Sequence, residues 1–299
     1  MLERTRSVLV TGGSGLIGNA LLRACAARGW RAIGCGRRKP TNANFEWRDY
    51  DLAATELPDA LFDGVNVVVH AAYVKQRYDA NVNGSRLLLE RARGCGVRQI
   101  VFLSSLAAHP AALSQYGKQK FELERTFATA GALVVRPGLV IGGGGTFGAI
   151  AASLRERHVV PLIAGGTQPL QTVYLDDLID AMSAAIDRDD AGVFSIAERV
   201  PVSYATFCSE LALVMATRIR FVRVPFWLAD LAVTSAAAIG IPLPIDRDNL
   251  LGLRAMRADT GPWLDPPGRK TADYRESLRC AARAGLLKSA VKGSVARIG

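Results

Sequence analysis

Tyr116 and Lys120 stand four residues apart in the run Tyr116-Gly117-Lys118-Gln119-Lys120. On a helix that spacing places both side chains on one face. A nearby ammonium favours phenolate and lowers a tyrosine pKa from about 10 toward neutrality. Such a tyrosine can give a proton to, or take one from, a carbonyl or hydroxyl oxygen. The pair alone is a common spacing, and two serines strengthen it. Ser104 and Ser105 follow Gln99-Ile100-Val101-Phe102-Leu103, an apolar run that reads as a buried strand. Ligands of open α/β sheets bind outside the carboxyl ends of the strands, where these hydroxyls would sit. One of them could hydrogen-bond a substrate oxygen and support charge developing there.

A second constellation lies at the start of the chain. Thr11-Gly12-Gly13-Ser14-Gly15-Leu16-Ile17-Gly18 follows the strand-like run Ser7-Val8-Leu9-Val10 and opens a helix. Gly12, Gly15 and Gly18 permit a tight turn, let backbone N–H groups approach a pyrophosphate and bring helix against strand. The helix start adds partial positive charge. No Gly-Lys-Ser/Thr follows, which excludes a nucleoside-triphosphate loop of the Walker type. An NAD site would place an acidic residue after the second strand, to hold the ribose 2′-hydroxyl. This chain has Gly36-Arg37-Arg38-Lys39 instead. Arg37 and Arg38 suit a 2′-phosphate through charge-assisted, bidentate bonds. NADP(H) is therefore the expected cofactor, with NAD(H) the alternative.

These residues need a frame. Short apolar runs at Ser7–Val10, Arg31–Cys35, Asn44–Arg48, Asn66–His70, Gln99–Leu103 and Ala132–Arg136 alternate with helical segments, among them 79–95 and 114–130. That alternation predicts an α/β fold with a doubly wound parallel sheet of the Rossmann kind, helices covering both faces. Gly142–Gly145 and Ala164–Thr172 read as loops, Tyr174 to about Asp187 as a helix, and Gly192–Ile196 as a further strand. Asp176 and Asp177 read as capping groups at that helix start. From Val200 onward the chain reads as helical and proline-interrupted. The expected division is a dinucleotide-binding domain over 1–199, with its core in 1–140, and a smaller, mostly helical substrate lobe over 200–299 that borrows from 142–172.

Bulk properties narrow the function further. A formal charge of +10 over 299 residues suits a phosphorylated ligand, yet there is no Lys/Arg block and no aromatic–basic interleaving of the kind that binds nucleic acid. Cys25, Cys35, Cys95, Cys208 and Cys280 are scattered, with no metal-ligand spacing, as expected of reduced thiols in a cytoplasmic protein. No signal peptide is evident. Phe226–Ile241 is apolar but carries Asp230 and is fenced by prolines. As a helix it would reach roughly 24 Å, short of the ~30 Å hydrocarbon core, so a buried or groove-lining helix is expected. His70, His109 and His158 have no partners that would make a Ser-His-Asp hydrolase.

Taken in order, the glycine loop, Asp51-Leu52, His70-Ala71-Ala72, Asn81-Val82-Asn83-Gly84-Ser85, Ser104-Ser105, Tyr116 with Lys120, Arg136-Pro137-Gly138 and Tyr174-Leu175-Asp176-Asp177-Leu178 give a recognisable pattern. The chain resembles the extended short-chain dehydrogenase/reductase superfamily, in its NAD-dependent epimerase/dehydratase branch. The resemblance implies that Asp51 and Leu52 sit by the adenine and that Ala71 and Ala72 line the nucleotide path. It places Asn81 near the nicotinamide and Pro137 among the cofactor contacts. It makes Ser105 the catalytic hydroxyl, Tyr116 the acid/base and Lys120 its activator. A homodimer is compatible with it. The chain departs from the sugar-nucleotide members at Ala108-His109-Pro110 and in lacking an acid after the second strand. Leu243-Pro244-Ile245-Asp246-Arg247-Asp248 resembles the atypical branch related to the complex I accessory subunit. Three functions are therefore open: an NADP(H)-dependent reductase or dehydrogenase acting on a carbonyl/alcohol pair, a nucleotide-sugar epimerase or dehydratase, and a non-catalytic NADPH-binding scaffold or sensor.

Overall fold

The computed structural model of the chain describes residues 6–41, 44–238 and 245–287. Ile241, Leu243 and Pro244 of the sequence analysis lie outside them. In chain order the first half runs β1 (Ser7–Thr11), α1 (Leu16–Ala27), β2 (Arg31–Gly36), β3 (Glu46–Asp49), β4 (Val67–His70), α2 (Tyr78–Gly94), β5 (Gln99–Leu103), α3 (Gln115–Thr129) and β6 (Leu133–Pro137). There follow β7 (Leu139–Ile141), α4 (Gly145–Arg157), β8 (Val159–Ile163), β9 (Pro169–Leu170), β10 (Thr172–Tyr174), α5 (Leu175–Asp187) and β11 (Gly192–Ile196). The chain continues with β12 (Val202–Ser203), α6 (Tyr204–Val214), β13 (Arg220–Val224), α7 (Phe226–Ala238), α8 (Arg247–Ala255) and α9 (Tyr274–Arg283).

Among the described residues, seven strands form one parallel sheet in the order β11-β6-β5-β4-β1-β2-β3. The order reverses at β1 and β4, the point at which an open sheet of this kind leaves a crevice. β-Strand alternation explains why the central strands are apolar throughout. Val8 and Val10 face α1 and α5 in one core cluster with Leu21, Leu178 and Met182. Leu9, between them, enters the opposite cluster with Leu88, Phe102 and Phe127 beneath α2 and α3. The expected doubly wound sheet is thus present, and its third strand begins at Glu46 rather than Asn44.

A third core cluster gathers Phe147, Leu154, Val160, Phe207, Leu211, Tyr274 and Leu278 from segments far apart in sequence. Small sheets tie these segments together, β10 with β7, β12 with β9 and β13 with β8. Two expectations change here. The glycine run 142–145 ends in a helix, because Phe147, Ala151 and Leu154 recur at helical spacing and bury one face of α4. The region after Val200 is not helical throughout. Arg220–Val224 is an edge strand paired in parallel with Val159–Ile163, as its alternating β-branched and aromatic residues permit.

The apolar helix that opens at Phe226 forms, but it is not buried. Ala229 and Val233 pack against Ile163 and Leu250. Trp227, Leu228 and Leu231 on the other side are 67%, 43% and 57% exposed. The expected end at Ile241 lies outside the described residues. No helix among the described residues is long and apolar enough to cross a membrane.

Candidate functional site

The β1–α1 turn is shaped by close approach. Gly12 has φ +68°, and a Cβ there would meet the Ala71 carbonyl at 3.0 Å. A Cβ on Gly18 would lie 2.4 Å from the Gly12 carbonyl oxygen, so only glycine lets α1 start so near the turn. Gly15 is the N-cap of α1 and has no side chain to cap it. The helix-start N–H groups of Leu16 and Ile17 therefore face the turn, where orphan donors and helix dipole suit an anion. Gly142 and Gly145 lie against the Leu16 side chain and bring the later glycine run over this turn. A pyrophosphate fits this cradle, since the backbone that would contact it carries no side chain in the way.

The path continues through a buried hydrogen-bond chain. The Thr11 hydroxyl accepts from the Ala71 and Ala72 amides, both at 3.1 Å. With its acceptor capacity taken, that hydroxyl donates to His70 Nδ1 at 2.7 Å. The other ring nitrogen must then carry the proton, and it donates to Ser85 Oγ at 2.7 Å. Ser85 Oγ donates in turn to the Asn81 carbonyl at 2.5 Å. Burial lowers the His70 pKa to about 3, which keeps the ring neutral in this role. His70 is a positioning residue that locks Ala71 and Ala72 beside Gly12.

Asn81 and Leu52 differ from what the resemblance implies of their side chains. The Asn81 carboxamide is buried and holds both backbone groups of Val74 at 2.8 Å. It shapes the loop after β4 and has little left to offer a ligand. The Leu52 side chain is buried in the core, and Gly84 is glycine because a Cβ would strike the Leu52 carbonyl. Asp51 stays exposed, accepting from the Ala53 amide at 3.0 Å. Pro137 ends β6 half-buried, in register with Ile196.

Arg37 and Arg38 follow β2 and are exposed. Arg31 and Arg48, near them in sequence, are spent on Glu46. Neither Arg37 nor Arg38 has a carboxylate partner among the described residues, so both guanidiniums are available to a phosphate.

At the carboxyl end of β5 the two serines divide their work. Ser104 Oγ donates to Glu124 at 3.0 Å, and Glu124 also accepts a two-pronged pair from Arg136. Ser104 is thereby tied into the frame. Ser105 faces the Tyr116 phenol oxygen and holds the Tyr116 pKa down against burial, which raises it. Lys120, only 6% exposed, donates to the Leu103 carbonyl at 2.7 Å and lies 4.8 Å from the centre of the Phe102 ring. Burial lowers its pKa to about 8. The sequence expectation was that the Lys120 ammonium would pull Tyr116 toward neutrality. In the structure burial outweighs any such pull, and Ser105 is the group that opposes it. Tyr116 is consequently protonated at neutral pH, the state a proton donor needs.

Two residues at this site were missed in the sequence. Tyr73 sets its ring edge-on to Tyr116, 5.2 Å between centroids, and lies 5.6 Å from the Lys120 ammonium. Its place directly after His70-Ala71-Ala72 is the only hint the sequence offers. Asp248, at the start of α8, accepts from the backbone amides of Gln115 and Tyr116 and so supports the first turn of α3 from outside. The expected caps Asp176 and Asp177 act differently. The N-cap of α5 is Tyr174 without a side-chain bond, whereas Asp177 binds Arg269 and the Ala272 amide.

A family profile described as "NAD dependent epimerase/dehydratase family" matches residues 8–197. The chain belongs to that family. The epimerase/dehydratase family comprises NAD(P)-dependent oxidoreductases, and the glycine turn and the tyrosine–lysine pair lie inside the matched span. The chain is 29% identical over 249 residues to a ceramide reductase of Caulobacter vibrioides, covering 78% of this chain and 76% of that protein. It is 35% identical over 115 residues to sterol demethylase protein B of Methylococcus capsulatus, 34% of this chain and 35% of that one. Two solved structures share the fold of the family. An NAD-dependent NDP-hexosamine 5,6-dehydratase of tunicamycin biosynthesis superposes with TM-score 0.70 at 18% identity, over 95% of this chain and 99% of that one. A UDP-glucose 4-epimerase of Thermotoga maritima with UDP-glucose gives 0.64 at 21% identity, over 83% and 97%.

Proposed function

We propose that this enzyme is an NADP(H)-dependent oxidoreductase that interconverts a carbonyl and an alcohol on a bulky apolar substrate, with Tyr116 as the acid/base. The observation that carries the reading is the half-buried Tyr116, its phenol kept protonated by desolvation and faced by Ser105, beside a buried Lys120. A nicotinamide dinucleotide bound at the glycine turn supplies or accepts the hydride.

In this reading Gly12, Gly15 and Gly18 admit the pyrophosphate to the backbone, and Ala71 and Ala72 form the wall that His70 holds. Asp51 is the polar group toward the adenine. Arg37 and Arg38 bind the 2′-phosphate. Ser105 orients the substrate oxygen, and Tyr116 gives that oxygen its proton during reduction and takes it back during oxidation. Lys120, with a pKa near 8, holds positive charge at neutral pH and favours the phenolate left behind. The division near residue 199 into a nucleotide domain and a substrate lobe belongs to the same reading.

An apolar substrate is supported by two relatives whose names refer to lipids, a ceramide reductase and a sterol demethylase protein. The nucleotide-sugar alternative draws on fold neighbours such as the UDP-glucose 4-epimerase. One experiment separates them: NADPH consumption followed against long-chain ketones in detergent micelles and against UDP-sugars. Turnover is expected with the ketones, with NADPH preferred to NADH. Conversion of a UDP-sugar without net loss of NADPH, and no turnover of ketones, would replace the reading with epimerisation.

A further inference from the structure

The segment 218–238 presents an exposed surface that the site described above does not use. α7 has the sequence FWLADLAVTSAAA. At 100° per residue, its outward face carries Trp227, Leu228, Leu231, Ala232, Thr234 and Ser235, all exposed. That face holds no charged group, in a chain where charged residues make up 21%. Asp230, at its margin, is paired with Arg247 at 3.1 Å. β13 precedes α7 by a single residue and is also exposed, with Phe221 at 39% and Val222 at 48%. Trp227, Leu228 and Leu231, exposed together on one helix face, mark an interaction surface.

The charges around the patch select its partner. Arg218, Arg220 and Arg223 are exposed, and none of them has an ion-pair partner among the described residues. Arg218 and Arg220 also border an open cavity of about 840 Å³, together with His158, Val159 and Leu213. A second copy docking through the same patch would set these arginines against their own symmetry mates, at a cost in repulsion. A nucleic acid could stack a base on Trp227 but would leave Leu228 and Leu231 against water or phosphate. An anionic lipid surface satisfies both halves, since apolar side chains enter the headgroup–acyl boundary while arginines meet the phosphates. No helix among the described residues, α7 over Phe226–Ala238 included, is long and apolar enough to cross a bilayer, so α7 would lie in the interface plane.

We propose that β13 and α7 form a peripheral membrane-docking surface for an anionic bilayer. Trp227, Leu228 and Leu231 are the inserting residues, and Arg218, Arg220 and Arg223 are the headgroup contacts. The surface is coupled to the site by packing. Val233 of α7 lies in one cluster with Leu250 of α8, and Asp248 of α8 holds the first turn of the helix that carries Tyr116. A docked enzyme would thus keep its proton donor one helix away from the bilayer. The proposal stands on the surface alone and does not require the apolar-substrate reading.

Flotation of the purified full-length chain with phosphatidylcholine vesicles, with and without phosphatidylglycerol, tests it. The chain is expected to float with the phosphatidylglycerol vesicles and to be released by salt. Leu228→Asp combined with Leu231→Asp should lower that partition by more than about tenfold. NADPH titration of the same variant should be unchanged, showing that it is folded. Arg220→Gln with Arg223→Gln should remove the dependence on phosphatidylglycerol. A parent chain that stays with the vesicle-free fractions would overturn the proposal, as would a double-Asp variant that floats as well as the parent. A parent dimer that dissociates on the double-Asp substitution, with no flotation, would assign the face to a second copy instead.

Discussion

The sheet half and the lobe built around α4, α6 and α9 treat apolar residues in opposite ways. In β1, β4 and β5 every residue is buried, and neighbours alternate between two core clusters. In β13 the first four residues are exposed, and α7 turns Trp227 and Leu231 to the outside. Apolar content thus means core in the first region and, in part, contact surface in the second. The sheet half carries the glycine turn, Ser105, Tyr116 and Lys120, and draws Leu264 and Asp248 from beyond residue 245 into its core and first helix turn. The lobe leaves surface unspent, where variation in substrate or partner can be accommodated without disturbing the turn that binds the cofactor.

The sharpest way to break this contrast is at the tightest point of the sheet half. Gly18→Val puts side-chain atoms where the Gly12 carbonyl stands, and should weaken NADPH binding on the order of a hundredfold by isothermal titration. An unchanged affinity would mean that the turn is not the cradle. Next in size is the cofactor's ribose end. Arg37→Ala with Arg38→Ala removes charge-assisted bonds at an exposed site, together worth about 1.5–3 kcal/mol. NADPH should bind roughly tenfold to a hundredfold more weakly, with NADH unaffected. Equal affinities of the parent chain for both cofactors would remove the basis for NADP(H).

Lys120 links stability to pH. Its folded pKa, about 8, lies below its ordinary value, so below pH 8 the folded protein holds a buried charge that the unfolded chain solvates freely. That penalty is fully present at neutral pH and disappears as pH rises from about 8 toward the ordinary lysine range. Lys120→Met should accordingly stabilise the cofactor-free protein by roughly 1–3 kcal/mol at pH 7, a gain that fades above pH 8 in thermal melts. Turnover should be lost at the same time. In the parent enzyme, reduction should slow as pH rises through about 8 and Lys120 loses its charge. The smallest effect is expected where the two regions meet. Asp248→Asn keeps an acceptor for only one of the Gln115 and Tyr116 amides, sets its NH2 against the other, and removes the negative charge from the start of α3. It should cost about 0.3–1 kcal/mol in chemical denaturation, and kcat should change only a few-fold while KM for NADPH stays the same.

What could be read in the sequence follows the same division. The glycine turn, the strand–helix alternation of the sheet half and the grouping of Ser105, Tyr116 and Lys120 are local patterns, fixed by spacing within one or two elements. Those patterns survive folding because burial on both faces allows the strands no other arrangement. The direction of the Tyr116 pKa was misjudged because spacing reports neighbours and not desolvation. Asp248 and Tyr73 reach the site from other parts of the chain, and nothing local to Tyr116 announces them. The edge strand β13 was read as helix, and α7, whose outer face is exposed, as a buried or groove-lining helix. Apolarity in one strand or helix does not say whether protein or another surface will cover it.

The most direct test of the account is the Tyr116→Phe variant, measured for NADPH affinity and for kcat on the same carbonyl substrate. Phenylalanine keeps the ring packed against Tyr73 and removes only the hydroxyl that faces Ser105. The account predicts unchanged NADPH binding and a fall in kcat of about 10²–10⁴-fold. A variant that binds NADPH normally and turns over within a few-fold of the parent would contradict it.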